Sequence, residues 1–252
     1  IHMNALISES RKLFSLRSTW IYLAVVSAGM AAGAVLLAWA NDFNGTVDGK
    51  FEAVDVSISG SLAIVVMVFA AAMMVGGDQS KGTVSWSYLS SNRRVGIVLS
   101  QFFIITFSLL LAATLGMVVA TLLITAFGGD FNFDSFMHWP DNNGFILAYV
   151  EWTVFILLAT SLAYLLRSGA FAAMILVAEY FVIETALDAV SAPWAKAILR
   201  VLPDANAWGL VMGANRSGDE QSRAVAAVVL IVMIVLTVGG SCAVARRRSV
   251  AK

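Results

Sequence analysis

The chain has 252 residues, of which 60% are hydrophobic and only 13% are charged. Soluble domains contain about 45–50% apolar and about 25% charged residues, so this composition excludes an ordinary water-soluble fold. The sixteen basic residues balance sixteen acidic ones, and a net charge of zero gives no electrostatic footprint for nucleic acid. The composition therefore predicts an all-α membrane protein that crosses the bilayer several times.

The first segment, residues 3–17, predicts a helix that lies in the membrane surface. Its apolar residues share one helical face, and its polar residues crowd the other. The segment is too short and too charged to span a bilayer, which is the pattern of an interfacial helix. A frayed polar tail is the alternative. The charged residues of this segment include Glu9, Lys12 and Arg17.

Six later segments have the length and low charge of a membrane span, which needs roughly 20 apolar residues in a helix. They lie at 20–40, 56–77, 95–127, 145–166, 170–187 and 224–245. The uncharged run Val95–Gly129 is too long for one upright helix and too short for two, so it predicts one long or tilted span. Ile1 and His2 resemble a cloning scar, and residues 3–252 are expected to form a single six-helix domain.

The positions of lysine and arginine predict that both termini are cytoplasmic. Cytoplasmic segments then hold eleven cations and outer segments five, which is the asymmetry that the positive-inside rule describes. The inner cations are Arg11, Lys12, Arg17, Lys81, Arg93, Arg94, Arg167, Arg246, Arg247, Arg248 and Lys252. The outer cations are Lys50, Lys196, Arg200, Arg216 and Arg223.

The longest outer segment, Asp188–Arg223, precedes the last span. Prolines at Pro193 and Pro203 divide it, and between them the stretch Ala195–Leu202 is amphipathic. Such a stretch is suited to dip its apolar face into the outer interface while its cations stay in water.

The supply of reactive residues argues against an enzyme. A serine nucleophile needs a neighbouring base, and the one histidine outside the scar, His138, falls in a predicted outer loop. Histidine, cysteine and carboxylate residues do not cluster at the spacing of metal ligands, so no metal or other cofactor is expected. The segment Gly76–Thr83 lacks the phosphate-loop order because Lys81 precedes Gly82. This chain is therefore not expected to bind ATP.

The cytoplasmic loop after the second span predicts a short helix, Gly82–Leu89. Thr83 is a suitable cap, and Val84, Trp86 and Tyr88 supply apolar surface. An aromatic and aliphatic patch outside the bilayer is typical of a protein contact site. A helix resting on the membrane surface has the same pattern, so both interpretations stay open.

Three features together resemble the membrane component of a type-2 ABC transporter. A charged amphipathic helix precedes the first span, six spans with cytoplasmic termini follow, and the loop after the second span is similar to the family's E…GT…L…R loop. The loop departs from the family in its aspartate, where a glutamate is usual, and in Ser91-Asn92, where a proline is common. The segment Asp188–Arg223 is similar to the family's external re-entrant helices. The loop residues are Asp78, Gly82, Thr83, Val84, Trp86, Tyr88, Leu89 and Arg93.

The resemblance implies a function. Residues 3–17 correspond to the family's elbow helix, and Gly82–Leu89 corresponds to the coupling helix that docks on a separate ATPase subunit. The chain would be the permease subunit of an exporter in the bacterial inner membrane, moving an amphipathic drug, antibiotic, peptide or lipid. Two copies of the ATPase would bind ATP and Mg²⁺, and the permease would pair with a second copy of itself or a related permease.

Three acids inside predicted spans, Glu151, Glu179 and Glu184, are the candidate substrate-pathway residues. An ionised carboxylate near the bilayer centre costs about 2.5–3.5 kcal/mol, so each should face protein or water, or carry a proton. Glu151 and Glu184 are expected at one depth on adjacent helices, where they can share a proton. Glu179 and Glu184 lie about 140° apart around an α-helix, which predicts that they do not pair. The alternative role is structural, with hydrogen bonds that hold the helices in register.

Gly29 and Gly33 form a G-x-x-x-G pattern in the first span, which allows close approach of another helix. That helix belongs either to a second permease copy or to the same chain. Two other functions also fit the sequence. A proton-coupled secondary transporter would use the three intramembrane glutamates, although no inverted repeat or broken span is evident. A membrane anchor without transport activity would not need them.

Overall fold

The structure is a computed structural model, and it describes residues 3–43, 50–80, 94–127, 129–214, 218 and 220–247. Of these residues, 86% are helical. Within the described residues, five helices are long and apolar enough to cross a membrane, and the two arms of one bent helix form a sixth apolar segment. The protein is therefore an all-α, multi-pass membrane protein.

The predicted spans coincide with helical segments whose ends differ from the predicted ones by only a few residues. A π-helical turn, Glu179–Glu184, joins α7 and α8 into one apolar segment, Gly169–Asp188. In chain order the helices are α1 Met3–Ser15, α2 Arg17–Phe43, α3 Ala53–Ser80, α4 Arg94–Ala126, α5 Asp134–Met137, α6 Asn143–Leu166, α7 Gly169–Ala178, α8 Thr185–Asp188, α9 Pro193–Leu199, α10 Pro203–Met212 and α11 Arg223–Arg247.

The long uncharged run of the third span forms one continuous helix, α4, as predicted. Its 33 residues rise about 50 Å at 1.5 Å per residue. The hydrocarbon core of a bilayer is only about 30 Å thick, so α4 is long enough to tilt or to project from it.

Helix α3 lies at the centre of the bundle, between α2, α6 and α7. Close backbone contacts at both of its ends are possible because glycine has no side chain. A Cβ atom at Gly76 would lie 2.5 Å from the backbone nitrogen of Gly169, and Gly144 packs against the backbone of Val54. These contacts fix α6 and α7 against α3.

The G-x-x-x-G pattern of the first span packs on α3 of the same chain. A Cβ atom at Gly33 would lie 3.0 Å from the carbonyl oxygen of Ser59, and one at Gly29 would lie 3.8 Å from Val66. The two glycines therefore serve packing within one chain, which was one of the two predicted alternatives.

The segments that follow the first and third spans meet at one end of the bundle. Strand β1, Lys50–Phe51, pairs in parallel with β2, Asp130–Phe131. The backbone N–H of Asn132 donates to the carbonyl of Phe51 at 3.0 Å, which extends the pairing by one bond. The spans before these two segments therefore run in the same direction.

The amphipathic segment at the start of the chain forms α1, which packs against α2 and α4. Glu9, expected on the polar side, is instead 5% exposed, and its carboxylate lies 3.8 Å from the Lys12 ammonium. Burial of Glu9 follows from the packing of α1 on neighbouring helices, which the isolated amphipathic pattern does not include. The indole N–H of Trp20 donates to the carbonyl of Phe14 at 2.9 Å and joins the start of α2 to α1.

Candidate functional site

The fifth apolar segment is interrupted by a π-helical turn over Glu179–Glu184. In such a turn the backbone bonds connect residues five apart, so residues i and i+5 come to lie on the same side. The carboxyl groups of Glu179 and Glu184 accordingly lie near enough to act on each other electrostatically. The prediction that these two residues do not pair is wrong, because it assumed a regular α-helix through this segment.

Glu184 caps a helix other than its own. Its two carboxylate oxygens accept hydrogen bonds from the backbone N–H groups of Asp204 and Ala205, each at 2.9 Å. These groups belong to the first turn of α10, where backbone N–H groups have no partner within the helix. A negative charge is favourable at this end of a helix dipole. Glu184 is only 3% exposed, so it fastens the start of α10 to the fifth span inside the protein.

Glu179 is the second member of the carboxyl pair. Its two oxygens are buried and accept no hydrogen bond from a donor in the described part of the chain. The charge of Asp204, a residue with 0% exposure, acts on both Glu179 and Glu184. A bond between two carboxyl groups requires a proton on one of them. The arrangement therefore suits a shared proton.

Helix α10 is held at several points along its length. The side-chain amide of Asn206 donates to the carbonyls of Arg200, at 3.0 Å, and Leu202, at 2.6 Å. Its carbonyl oxygen accepts from the side-chain amide of Gln221 at 2.9 Å. Gly213 ends the helix with φ 77°, a conformation that glycine adopts without strain. These bonds connect α10 to the segment leading into the last span.

Glu151 is buried on α6, with 2% exposure. The next residue, Trp152, packs on the α3 backbone at Gly60, where a Cβ atom would lie 2.9 Å from the indole ring. The hydrogen bonds of Glu184 are made with Asp204 and Ala205, and its carboxyl neighbour is Glu179. Glu179 and Glu184, both of the fifth apolar segment, are thus neighbours in the structure.

Asp204 is a member of this site that the prediction from sequence missed, because it lies outside every predicted span. The sequence around Asp204 nevertheless indicates a helix start. Pro203 at the first helical position, followed by an acid, is the pattern of a helix N-terminus.

The remaining predicted residues are only partly covered by the structure. Asp78 lies near the end of α3, and its side chain is outside the described residues. Arg17 begins α2. The predicted coupling residues that lie outside the described part of the chain are Gly82, Thr83, Val84, Trp86, Tyr88, Leu89 and Arg93.

Among the residues that the structure describes, no three histidine, cysteine or acidic side chains are placed to hold a metal ion. No family model matches the chain, and no similar protein is found among curated proteins. The function is therefore inferred from the chain itself.

Proposed function

We propose that this chain is the permease subunit of an ATP-driven exporter in a bacterial inner membrane. It would cross the membrane six times with both termini in the cytoplasm. It would work as a dimer of permeases with two copies of a separate ATPase, which bind ATP and Mg²⁺. The substrate would be amphipathic, such as a drug, an antibiotic, a peptide or a lipid.

The order of the elements supports this proposal most. An amphipathic helix, α1, packs beside the first span, and two short helices, α9 and α10, stand between the fifth and sixth apolar segments. Most residues of α10 are buried, as expected for a helix that enters the bundle and returns. The resemblance to type-2 ABC permeases rests on this same order and on the loop after the second span.

The loop after the second span would transmit the conformational change of the ATPase to the permease. Closure of the two ATPases on ATP would move the predicted coupling helix Gly82–Leu89, which connects α3 to α4. Nucleotide has to bind one arrangement of the complex better than the other, since a ligand with equal affinity for both shifts neither. Because α3 is the central helix of the bundle, a displacement at its end reaches α2, α6 and α7.

Co-purification with the ATPase encoded beside this gene tests the proposal. We expect the pair to purify together, and Trp86→Asp or Leu89→Asp to abolish the association. Met137→Asp is the control, since Met137 is 77% exposed in the segment between α4 and α6 and lies outside the coupling loop. Association that survives both loop substitutions, or no association of the unmodified chain, would contradict it.

A proton-coupled secondary transporter is the second candidate, because two of the apolar segments are broken. Helix α3 bends by 55° between the arms Ala53–Ser61 and Ala63–Gly77, and the π-turn interrupts Gly169–Asp188. These are the second and fifth apolar segments, which occupy corresponding positions in the two halves of a six-span chain. Interrupted segments in corresponding positions are typical of ion-coupled transporters.

Efflux measurements separate the two candidates. Cells expressing the chain with and without the ATPase are loaded with ethidium, an amphipathic cation. Efflux that requires the ATPase supports the exporter. Efflux that proceeds without it and stops when an uncoupler collapses the proton gradient supports the secondary transporter and contradicts the exporter.

A further inference from the structure

We propose that a row of aromatic rings at one end of the bundle binds planar aromatic cations. The row runs from the segment between α4 and α6 along one face of α6, and we call it the aromatic ladder. It would be the place where the proposed exporter holds such a substrate on the outer side of the membrane, so the inference rests on that function. The ladder consists of Phe131, Phe133, Phe136, Phe145, Tyr149 and Trp152.

Neighbouring rings of the ladder are in contact along its whole length. The ring centroid of Phe131 lies 4.6 Å from that of Phe133 and 5.0 Å from that of Phe136. From Phe136 the contacts continue onto the three ladder residues of α6, with centroids 5.5, 4.8 and 4.9 Å apart in chain order. Aromatic rings attract each other at these separations. The ladder is therefore one continuous aromatic surface, which a flat ligand would extend.

The ladder is open at one end and closed at the other. Phe133, beside the start of α5, is 57% exposed. Trp152 is 1% exposed and packs on α3 at Gly60. The rings between these two are partly exposed. A ligand therefore reaches the ladder from the end of the bundle that carries β1 and β2, which the proposed topology places outside the membrane.

The middle of the ladder lies at the depth of the lipid headgroup boundary. The Tyr149 hydroxyl is hydrogen-bonded to the hydroxyl of Thr114 on α4 at 2.7 Å, and the Thr114 side chain is exposed. Along α6, Tyr149 lies about 27 Å from Arg167, where the helix ends, at 1.5 Å per residue. The hydrocarbon core is about 30 Å thick, so Tyr149 is close to its edge. An amphipathic molecule that partitions into the interface meets the ladder there.

Acidic side chains surround the open end of the ladder. Asp130 and Asp134 are exposed, and each is the chain neighbour of a ladder ring. Glu52 is also exposed, and it accepts a hydrogen bond from the side-chain amide of Asn132 at 3.1 Å, which places it at the same segment. None of these three acids forms an ion pair within the described part of the chain. Such a group of negative charges attracts a cationic ligand.

The combination of rings and acids favours a flat cation over a neutral molecule of the same size. The face of an aromatic ring attracts a cation that lies within about 6 Å of its centroid. A contact of this kind is present at the same end of the bundle, where the guanidinium of Arg223 lies 5.6 Å from the centroid of the Trp139 ring. A planar cation at the ladder would gain the same attraction together with that of the acids.

Equilibrium binding of ethidium, a planar aromatic cation, to the full chain tests the proposal. The chain is held in phosphatidylcholine nanodiscs, and binding is followed by ethidium fluorescence. We expect saturable binding that exceeds the binding to empty nanodiscs. Aromatic residues that only anchor a protein in the interface have a similar composition. Binding no greater than that of empty nanodiscs would show that the ladder is such an anchor and would overturn the proposal.

Substitution of single rings locates the site. Phe145→Leu removes a ring from the middle of the ladder and should weaken ethidium binding by about two- to tenfold. Phe133→Leu repeats the test at an exposed ring, where the fold is not at risk. Phe107→Leu is the matched control, because Phe107 is an exposed ring of α4 that stacks on Phe103 outside the ladder. Equal effects of the ladder substitutions and the control would contradict the site.

The charge preference needs a separate measurement. The double variant Asp130→Asn/Asp134→Asn should weaken ethidium binding by about two- to fivefold. Binding of the uncharged probe N-phenyl-1-naphthylamine should stay as it is in the unmodified chain. Ethidium binding that is unchanged in the double variant, or an equal loss for both probes, would contradict selection by charge. Saturable binding of the neutral probe alone would show an apolar lipid-binding surface and overturn the proposal.

These measurements contain no ATPase, so they separate the ladder from the proposed exporter. Co-purification with the ATPase together with a lack of ethidium binding would refute the ladder and leave the exporter standing. Ethidium binding that depends on the ladder, without any association with the ATPase, would confirm the site and refute its role in the exporter.

Discussion

The Tyr180 hydroxyl donates to the Ser61 hydroxyl at 3.4 Å. Tyr180 belongs to the π-turn of the fifth apolar segment, and Ser61 is the last residue before the bend in α3. The ring of Tyr180 also packs edge-on against Phe155 of α6, with centroids 5.2 Å apart. The π-turn and the bend in α3 are therefore in direct contact. A conformational change at one of them would alter the contact with the other.

A double-mutant cycle should detect this contact. Tyr180→Phe and Ser61→Ala should each lower the free energy of unfolding by about 0.5–1.5 kcal/mol, the usual worth of one hydrogen bond. The double variant should lose less than the sum, since either change alone removes the bond. Thermal unfolding in detergent measures all four proteins. Strictly additive losses would show that the two hydroxyls do not interact.

Gly116 should resist substitution because α2 and α4 meet there. A Cβ atom at this position would overlap the backbone carbonyl of Ser27, whose hydroxyl donates to the carbonyl of Ala112 at 2.7 Å. We expect Gly116→Ala to destabilise the protein by about 1–3 kcal/mol, the cost of overpacking.

Gly96 is the matched control in the same helix. A Cβ atom there would meet nothing within 4 Å, so Gly96→Ala should be neutral or slightly stabilising, as alanine favours helix more than glycine. The same thermal unfolding measurement compares both variants. Equal effects at the two positions would contradict the close approach of α2 and α4.

Substitution of Asn206 should lower the free energy of unfolding more than substitution of Asn132. Asn206→Leu leaves the carbonyl of Arg200 and the side-chain amide of Gln221 without this partner. The carbonyl of Leu202 keeps only its bond from the backbone N–H of residue 206. We expect a cost of about 1–3 kcal/mol for the groups left without a partner. Asn132→Leu, which breaks an exposed bond to Glu52, is the control and should cost much less. A midpoint of thermal unfolding that falls no further for Asn206→Leu than for the control would count against this role.

The helices were largely predictable from the sequence because a membrane span needs one uninterrupted apolar run. The runs 145–166 and 224–245 end within a few residues of α6 and α11, and the long run after Val95 is the single helix α4. The amphipathic pattern of 3–17 likewise predicted α1. These features depend on local composition and period, which the sequence displays directly.

The carboxyl site was not predictable in the same way. The π-turn shifts the register by one residue, and nothing in the run Glu179–Glu184 marks that shift. The capping of α10 by Glu184 joins residues twenty positions apart through tertiary packing. Gly116 makes a closer approach than Gly29 or Gly33 without any G-x-x-x-G pattern, because a single glycine suffices where one backbone crosses another.

Site-specific photocross-linking from residue 86 tests the central proposal most directly. A photoreactive amino acid is placed at Trp86, and, as the control, at Met137, in cells that also produce the ATPase encoded beside this gene. The proposal predicts an adduct between the permease and the ATPase from position 86 and none from position 137. An ATPase adduct from position 137, or no ATPase adduct from position 86, would contradict it.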